Sequence, residues 1–170
     1  RKVELALEKS GVPFVILRPN WFADNFRTYW GPGIRAAGVI AVPAGEGRTS
    51  FIDARDIAAS AVAALTSDRF DGRAFNLTGP ATHSYGEAAA ILSGVLDKPV
   101  RYDAVDDATF VGILTGAGVP ADYAGFLATI FHPVREGWTA AVTGDVEELT
   151  GLRPITLDQY VRDDRAAIVG

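Results

Sequence analysis

The sequence contains no cysteine and no methionine, and its only histidines are His83 and His132. The absence of cysteine excludes disulfide bonds, thiolate catalysis and cysteine–zinc sites. Two histidines far apart in the chain do not make a histidine-rich metal site, so no metal is expected. The missing methionine and the start at Arg1 predict a piece of a longer protein, because an initiator methionine is normally removed before a small residue.

Positive charge and long apolar runs are also scarce. The chain has 16 basic against 21 acidic residues and a formal net charge of −5, so nucleic-acid binding is not expected. No apolar run approaches the roughly 18 residues of a membrane span, and no cleavable leader is visible. We therefore expect no membrane partner and a cytoplasmic location. With 48% hydrophobic and 22% charged residues, the composition predicts one globular domain with a real core.

Short apolar runs alternate with helical patterns along the chain. Strands are predicted at 12–17, 39–43, 48–52, 75–78 and 100–105. Helices are predicted over 2–10, from Asp53, from Ser84 to about Leu96, from Asp106, over 120–137, and from Thr156 to the end. Asp53 and Asp56 fit N-cap and N3 positions, and Ser84 with Glu87 forms a capping box. The alternation predicts an α/β protein with parallel strand pairing.

The number of core strands is small for such a fold. Only residues 13–17 and 74–77 look like core strands of a parallel sheet, buried on both faces, whereas a typical sheet has four to six strands. The run 14–17 would then lie near an open edge that carries no charge or bulge to protect it. We expect this edge either to pair with another chain, giving a homo-oligomer, or to adjoin strands that this sequence does not contain.

Four segments resemble one family in their order along the chain. They are residues 2–26 with Arg18-Pro19-Asn20-Trp21, 41–65 with a D-x-x-D-I-A helix start, 72–105 with the turn Leu-Thr-Gly-Pro, and 144–163. They resemble the NmrA-like proteins, the nucleotide-sugar-epimerase-like branch of the short-chain dehydrogenase/reductase superfamily. NAD(P)H-dependent quinone reductases and azoreductase-like proteins belong to this branch.

The resemblance implies the C-terminal part of a doubly wound, Rossmann-like NAD(P)-binding fold with a small α/β substrate lobe. In this single partial domain, residues 1–80 would end the sheet and residues 81–170 would form most of the lobe. The N-terminal strands, the glycine-rich loop and the Tyr-x-x-x-Lys pair would precede Arg1, so no catalytic residue is expected here. Glycines at 112, 116 and 118 do not replace that loop, because they lie in a helical pattern and follow no strand.

The resemblance also implies that the loop after residue 18 passes under the nicotinamide ring of NAD or NADP. Pro19 would fix the backbone there, and Asn20 would hydrogen-bond the carboxamide. Trp21 and Phe22 would offer flat apolar walls beyond the carboxyl end of a parallel strand. The alternative is a buried aromatic turn with a helix cap at Asn20 or Asp24.

Three further residues are candidates for a substrate pocket: Asn25, Phe126 and His132. An aromatic set in the last third of the chain could line a pocket for a flat, quinone-like ring, although its spacing also describes an ordinary core. This set comprises Tyr123, Phe126, Phe131 and Trp138. Tyr85, inside the capping segment, is interpreted as a packing residue.

Several functions follow from the resemblance. The parent would be an oxidoreductase that transfers a hydride from NAD(P)H to a small molecule such as a quinone. The alternative is a non-catalytic, NAD(P)-sensing regulator of the NmrA type. The chain alone would be an inactive fragment that binds no cofactor, or else an interaction module that dimerises through the edge at residues 13–17.

Overall fold

The computed structural model describes all 170 residues as an α/β fold. The strands are β1 (Val15–Pro19), β2 (Val39–Val42), β3 (Arg48–Thr49), β4 (Arg73–Leu77), β5 (His83–Ser84) and β6 (Arg101–Ala104). The helices are α1 (Lys2–Glu8), α2 (Gly31–Ala37), α3 (Ala54–Leu65), α4 (Tyr85–Leu96), α5 (Asp107–Gly116), α6 (Ala121–Thr129), α7 (His132–Arg135), α8 (Asp145–Thr150), α9 (Leu157–Asp163) and α10 (Arg165–Val169). No helix is both long and apolar enough to cross a membrane.

The strands form three separate pairs. Strand β1 runs parallel to β4, with Val15 opposite Arg73 and Pro19 opposite Leu77. Strand β2 runs parallel to β6, and the short strands β3 and β5 are antiparallel. The predicted α/β class with parallel pairing is confirmed, although no pair extends into a larger sheet.

Strand β1 differs from its prediction in position and burial. It begins at Val15, not at residue 12, and it includes Arg18 and Pro19, which lie beyond its predicted end at residue 17. Pro19 has no backbone N–H, but none is needed at this position, because only every second residue of β1 bonds to β4. Phe14 accepts from the Gly72 N–H and Asn20 donates to the Leu77 carbonyl, so the Pro19 nitrogen faces the uncovered side. The strand is only partly buried, because it has one strand neighbour rather than two.

The outer edge of β4 is closed by the segment that leads into α8. The Asn76 N–H donates to the Asp145 carboxylate at 2.6 Å, and the Thr143 N–H donates to the Thr78 hydroxyl at 3.0 Å. The Thr143 hydroxyl donates to the Asn76 carbonyl. Strand β1 has no such cover, and a groove runs between it and α3. The predicted open edge at residues 14–17 is therefore confirmed.

Helix caps were predicted better than helix lengths. The capping box of Ser84 and Glu87 is present, and α4 ends at Leu96 as expected. The helix predicted over 120–137 is instead divided into α6 and α7, and the last helix is divided at Asp164 into α9 and α10. Helices α2 and α8 were not predicted. The Gly-Pro-Gly start of α2 is typical of a turn, and α8 is only six residues long.

Buried apolar side chains form two clusters. The larger contains 22 buried residues, among them Phe26, Trp30 and Phe131. The smaller contains Ile52, Phe70, Phe75, Leu77, Val146 and Leu149 around β4. Both clusters draw on the two halves of the chain, and the division at residue 80 stays a prediction.

Candidate functional site

The loop that follows β1 is held by backbone hydrogen bonds at the carboxyl ends of β1 and β4. The Asn20 N–H donates to the Leu77 carbonyl at 2.9 Å. The Ile52 N–H donates to the Trp21 carbonyl at 2.9 Å, and the Ala23 N–H donates to the Ile52 carbonyl at 2.8 Å. The loop therefore has a fixed position at the edge where parallel strands present ligand sites.

The Asn20 side chain is part of this fixation. Its amide nitrogen donates to the Ser50 hydroxyl at 2.6 Å and to the Thr139 carbonyl at 2.9 Å. Ser50 is fully buried, and its hydroxyl donates to the Ala141 carbonyl at 2.8 Å. Both amide hydrogens of Asn20 are thus used within the chain. Asn20 thus positions the loop, and its side-chain oxygen is left to accept from a ligand. Its contact with the nicotinamide carboxamide stays a prediction.

Trp21 and Phe22 lie in different surroundings. The Trp21 ring packs 4.9 Å from the Phe131 ring and 6.2 Å from the Trp30 ring, measured between centroids. Phe22 is 40% exposed, and Pro19 beside it is also exposed. Pro19 and Phe22 therefore present apolar surface to solvent after β1, whereas Trp21 belongs to the wall of a cavity.

That cavity lies next to the loop and is mostly apolar. Its volume is about 660 Å³, and 15 of its 19 lining residues are hydrophobic. No Lys, Arg, His, Asp or Glu lines it. Its walls come from the loop before α2, from β2, and from α5 and α6, including Trp21, Trp30, Val39, Phe110, Leu127 and Phe131. A volume of this size matches the clefts that hold small organic ligands.

The three candidate pocket residues are not brought together. Asn25 lines the cavity. Phe126 is 59% exposed on α6 and stacks on Tyr123, and neither ring lines the cavity. His132 is also exposed, 3.7 Å from Glu136 and packed against Trp138, and it does not line this cavity. A role of Phe126 and His132 in substrate binding stays a prediction. Their neighbours in the chain, Leu127 and Phe131, line the cavity instead.

Phe131 lines the cavity, although the sequence indicated Phe126 as the pocket candidate from the aromatic set. It is 2% exposed and touches the rings of Trp21, Phe110 and Tyr85. Spacing alone did not separate it from Phe126, because both fit a helical pattern. Phe131 lies four residues after Leu127, which also lines the cavity, and five residues after Phe126, which does not.

Tyr85 behaves as a packing residue, which confirms its interpretation. It is fully buried, with the rings of Trp30 and Phe51 at 5.3 and 5.5 Å. Its hydroxyl has no hydrogen-bond partner, and burial raises the pKa of this phenol well above its usual value. A group that stays protonated and sealed in the core does not serve as an acid at a surface site.

The paired carboxylates of α3 are structural. Asp53 caps the helix by accepting from the Arg55 N–H at 2.8 Å, and it forms an ion pair with the Arg55 guanidinium. Asp56 does not complete the cap, because it accepts instead from the Ile155 N–H at 2.8 Å. Burial raises the pKa of the Asp56 carboxyl. No group of three or more His, Asp or Glu side chains is arranged to hold a metal ion.

The late glycines do not form a phosphate-binding loop. Gly112 and Gly116 lie inside α5, and Gly118 adopts a φ of +87° in the turn before α6. Gly118 thus serves a turn, whereas Gly112 and Gly116 are exposed with nothing within 4 Å of an added Cβ, so no close packing requires a glycine there.

Comparison with known proteins gives relatives of reductase type, although no family model matches the sequence. The chain is 34% identical over 161 residues to an NAD(P)H azoreductase of Xenophilus azovorans, covering 95% of this chain and 56% of the relative. It is 38% identical over 152 residues to a (4-alkanoyl-5-oxo-2,5-dihydrofuran-3-yl)methyl phosphate reductase of Streptomyces griseus, covering 89% of this chain and 53% of the relative. The chain thus spans about half the length of the curated relatives it matches.

Solved structures of reductases also align with nearly all of this chain and with a little over half of their own length. An NADPH-dependent quinone oxidoreductase of Escherichia coli aligns with a TM-score of 0.86 at 25% identity, over 95% of this chain and 58% of that one. A Citrobacter triphenylmethane reductase aligns with a TM-score of 0.84 at 26% identity, over 94% and 56%. The negative transcriptional regulator NmrA aligns with a TM-score of 0.69 at 16% identity, over 95% and 55%, which shows a shared fold alone.

Proposed function

Because this chain belongs to the NmrA-like family of NAD(P)-dependent reductases, we propose that its parent protein transfers a hydride from NAD(P)H to a small apolar electrophile such as a quinone. The observation that carries this proposal is the uncharged cavity beside the loop at the strand ends. Ligands of open α/β folds bind at the carboxyl ends of parallel strands, where this loop lies. Curated relatives named as reductases and oxidoreductases favour catalysis over the regulatory alternative.

The chain would supply one end of the cofactor site. Pro19 and Phe22, both exposed at the end of β1, would contact the nicotinamide end of NAD(P)H, and Asn20 would position them. When bound, the cofactor supplies the hydride. The pyrophosphate of the cofactor binds to backbone N–H groups of a glycine-rich turn that leads from a strand into a helix. None of the six strands is followed by such a turn. That part of the site would come from the remaining half of the parent.

The open edge of β1 fits such a parent. Val15 and Leu17 alternate with the residues that bond β4, so their backbone groups face the uncovered side. The adjoining groove is lined by apolar residues of β1 and α3, such as Leu17, Ala61 and Leu65. We propose that further parallel strands of the parent pair here, which would make this chain the C-terminal part of a doubly wound, Rossmann-like fold.

Trp21 links the two parts of the site. Its backbone belongs to the loop that would carry the cofactor end, and its ring forms a wall of the apolar cavity. A flat substrate held against Trp21 and Phe131 would lie next to the strand ends with little water around it. Positioning a substrate against the reactive part of a cofactor is the main contribution of the protein in such reactions.

The proposal is tested by measuring NADPH oxidation with 1,4-naphthoquinone by the full-length parent and by the 170-residue chain. We expect turnover by the parent, and neither turnover nor saturable NADPH binding by the chain alone. If the parent binds NADPH but does not oxidise it with any acceptor tested, the result would instead support the NAD(P)-sensing regulator. Saturable binding of micromolar NADPH by the chain, with a raised melting temperature, would contradict the division of the site between the two halves.

A further inference from the structure

We propose that Asp24 is a positioning residue for hydride transfer, because its carboxylate joins the loop after β1 to the start of α3 and, through Arg27, to the C-terminal helices. The proposal rests on the proposed function, since it names a residue that holds the cofactor side of that site in place. Asp24 does not line the apolar cavity. It would touch neither cofactor nor substrate, and would act by fixing Pro19 and Phe22 relative to the nicotinamide.

The Asp24 carboxylate connects the loop to α3. Asp24 lies in a short 3₁₀ helix, Ala23–Phe26, which directly follows the loop, and its side chain does not cap that helix. Instead, one carboxylate oxygen accepts from the Ala54 N–H at 3.3 Å. Ala54 begins α3, and the first N–H groups of a helix have no partner inside it and carry the positive end of its dipole. The negative charge of Asp24 therefore stabilises the contact between the loop and α3.

This contact extends a row of backbone hydrogen bonds. The Ile52 N–H donates to the Trp21 carbonyl, and the Ala23 N–H donates to the Ile52 carbonyl. The bond from Ala54 to Asp24 lies one step further along both segments. It fixes the end of the loop at which the exposed ring of Phe22 lies.

Arg27 extends the connection to the C-terminal helices. Its guanidinium donates to the Asp24 carboxylate at 2.8 Å and lies 3.9 Å from the Asp164 carboxylate, between α9 and α10. Tyr160 on α9 is buried, and its hydroxyl has no hydrogen-bond partner. Burial raises the pKa of this phenol, and the charges of Asp24 and Asp164 raise it further. The phenol therefore stays neutral and leaves the guanidinium to the two carboxylates.

The start of α3 is itself firmly held. Asp56 accepts from the Ile155 N–H at 2.8 Å. Arg55 forms ion pairs with Asp53 at 2.6 Å and with Asp163 at 2.7 Å. The first turn of α3 is thus bound to the C-terminal segment, and a loop released from it would move relative to the rest of the site. A misplacement of about 1 Å can lower the rate of a reaction by about 100-fold.

The first test needs no cofactor. Asp24→Asn keeps the shape of the side chain and removes its charge. In the full-length parent without NADPH, amide hydrogen exchange should accelerate in residues 19–28 and 50–56 and stay unchanged elsewhere. Asp158→Asn is the matched control, since it breaks an ion pair of 2.8 Å with Arg162 on α9 and should leave the exchange of both segments unchanged. Acceleration spread evenly over the parent would overturn the inference, because it would show a general loss of stability.

The second test measures hydride transfer in a single turnover. The parent, in excess over NADPH, is mixed with 1,4-naphthoquinone. A hydride passes from C4 of the nicotinamide to the quinone, a proton from water completes the hydroquinone, and the NADPH absorbance falls. We expect Asp24→Asn to lower the first-order rate constant about tenfold or more at unchanged amplitude. A merely unfolded fraction would lower the amplitude and leave the rate constant unchanged.

The affinity for NADPH should respond less than the rate constant. It should change by less than about threefold in Asp24→Asn, because the pyrophosphate would be bound by the other half of the parent. If Asp24→Asn does not fold, Arg27→Gln replaces it. This variant loses the ion pair but keeps the bond from Ala54, so its rate constant should fall less. The double variant should be no slower than Asp24→Asn, since both residues act through one ion pair.

The outcomes separate this inference from the proposed function. If the unsubstituted parent does not oxidise NADPH with naphthoquinone, the inference and the proposed function both fail. If the parent turns over and Asp24→Asn transfers the hydride at the same rate constant, the inference alone is overturned. An equal fall of the rate constant in Asp158→Asn would also overturn it, because that ion pair lies away from the loop.

Discussion

The side-chain nitrogen of Asn20 donates a hydrogen bond of 2.6 Å to the hydroxyl oxygen of Ser50, thirty residues further along the chain. The same nitrogen donates to Thr139, and the Ser50 hydroxyl donates onward to Ala141. Three distant segments are thus joined at the loop that follows β1. The position of this loop depends on a polar network that is largely shielded from water.

The first prediction concerns this network. Asn20→Ala and Ser50→Ala should each lower the free energy of unfolding by about 1–3 kcal/mol, because each leaves a shielded partner without its hydrogen bond. The double variant should lose less than the sum, since the two residues share one bond. Urea unfolding measures all three. Ser10→Ala, which removes an exposed hydroxyl bonded to Leu7, is the control and should cost clearly less. Additive losses would contradict the coupling.

The second prediction concerns the turn after β4. A Cβ atom at Gly79 would lie 1.9 Å from the Phe51 carbonyl oxygen, a backbone atom that cannot move alone. Gly79→Ala should therefore destabilise the fold by about 2 kcal/mol or more, through overpacking and backbone shifts.

Gly94→Ala is the matched control for that substitution. Gly94 lies inside α4 with nothing within 4 Å of an added Cβ, so alanine should stabilise the helix by about 0.5–1 kcal/mol. Thermal unfolding compares the two variants. If Gly79→Ala had the same melting temperature as the wild type, the contact between Gly79 and Phe51 would be looser than the geometry indicates.

Local signals in the sequence predicted the local parts of the fold. The capping box at Ser84 and the cap at Asp53 depend on residues two or three positions apart, and both are present. The polar network is different, because Asn20 finds its partners 30 and 119 positions away. No short pattern contains that information, so the sequence did not predict this network.

The cavity was only partly predictable for the same reason. Asn25 and the aromatic residues near position 131 were identified as candidates, but spacing on one helix did not tell inward from outward positions. The tertiary packing places Phe131 inside and Phe126 outside. Helix α2 was missed because its glycines and proline favour a turn locally, whereas Ile34 and Trp30 are held in the core by tertiary packing.

The third prediction concerns Asp56 and pH. Burial raises the pKa of the Asp56 carboxyl above its ordinary value of 3.8, despite the hydrogen bond from Ile155. Between the ordinary and the raised value, the folded state binds more protons than the unfolded state, so this group lowers the stability as the pH rises through that interval. Asp56→Asn removes this dependence. Its stability relative to the wild type should therefore be highest above the raised pKa and should shrink as the pH falls to 3.8.

Asp106→Asn gives the opposite sign as a control. Hydrogen bonds from Thr109 lower the pKa of Asp106, which caps α5, so its contribution is present at neutral pH and is lost as the pH falls. Chemical unfolding from pH 3 to pH 7 follows both variants. If the relative stability of Asp56→Asn changed with pH in the same direction as that of Asp106→Asn, the burial argument for Asp56 would be wrong.

The last prediction separates the two phenylalanines of the predicted aromatic set. Phe131 is 2% exposed and contacts Trp21, Phe110 and Tyr85, so Phe131→Ala should cost about 3–5 kcal/mol of unfolding free energy. Phe126 is 59% exposed and contacts mainly Tyr123, so Phe126→Ala should cost less than about 1 kcal/mol.

Phe131→Leu adds a readout that stability alone does not give. Leucine keeps most of the apolar volume but removes the ring that faces Trp21, so the fluorescence of Trp21 should change while the protein still folds. Phe126→Leu should leave the tryptophan emission unchanged, because the Phe126 ring does not line the cavity. A larger effect of the Phe126 substitutions on stability or emission would mean that the outer face of α6, and not its inner face, closes the apolar site.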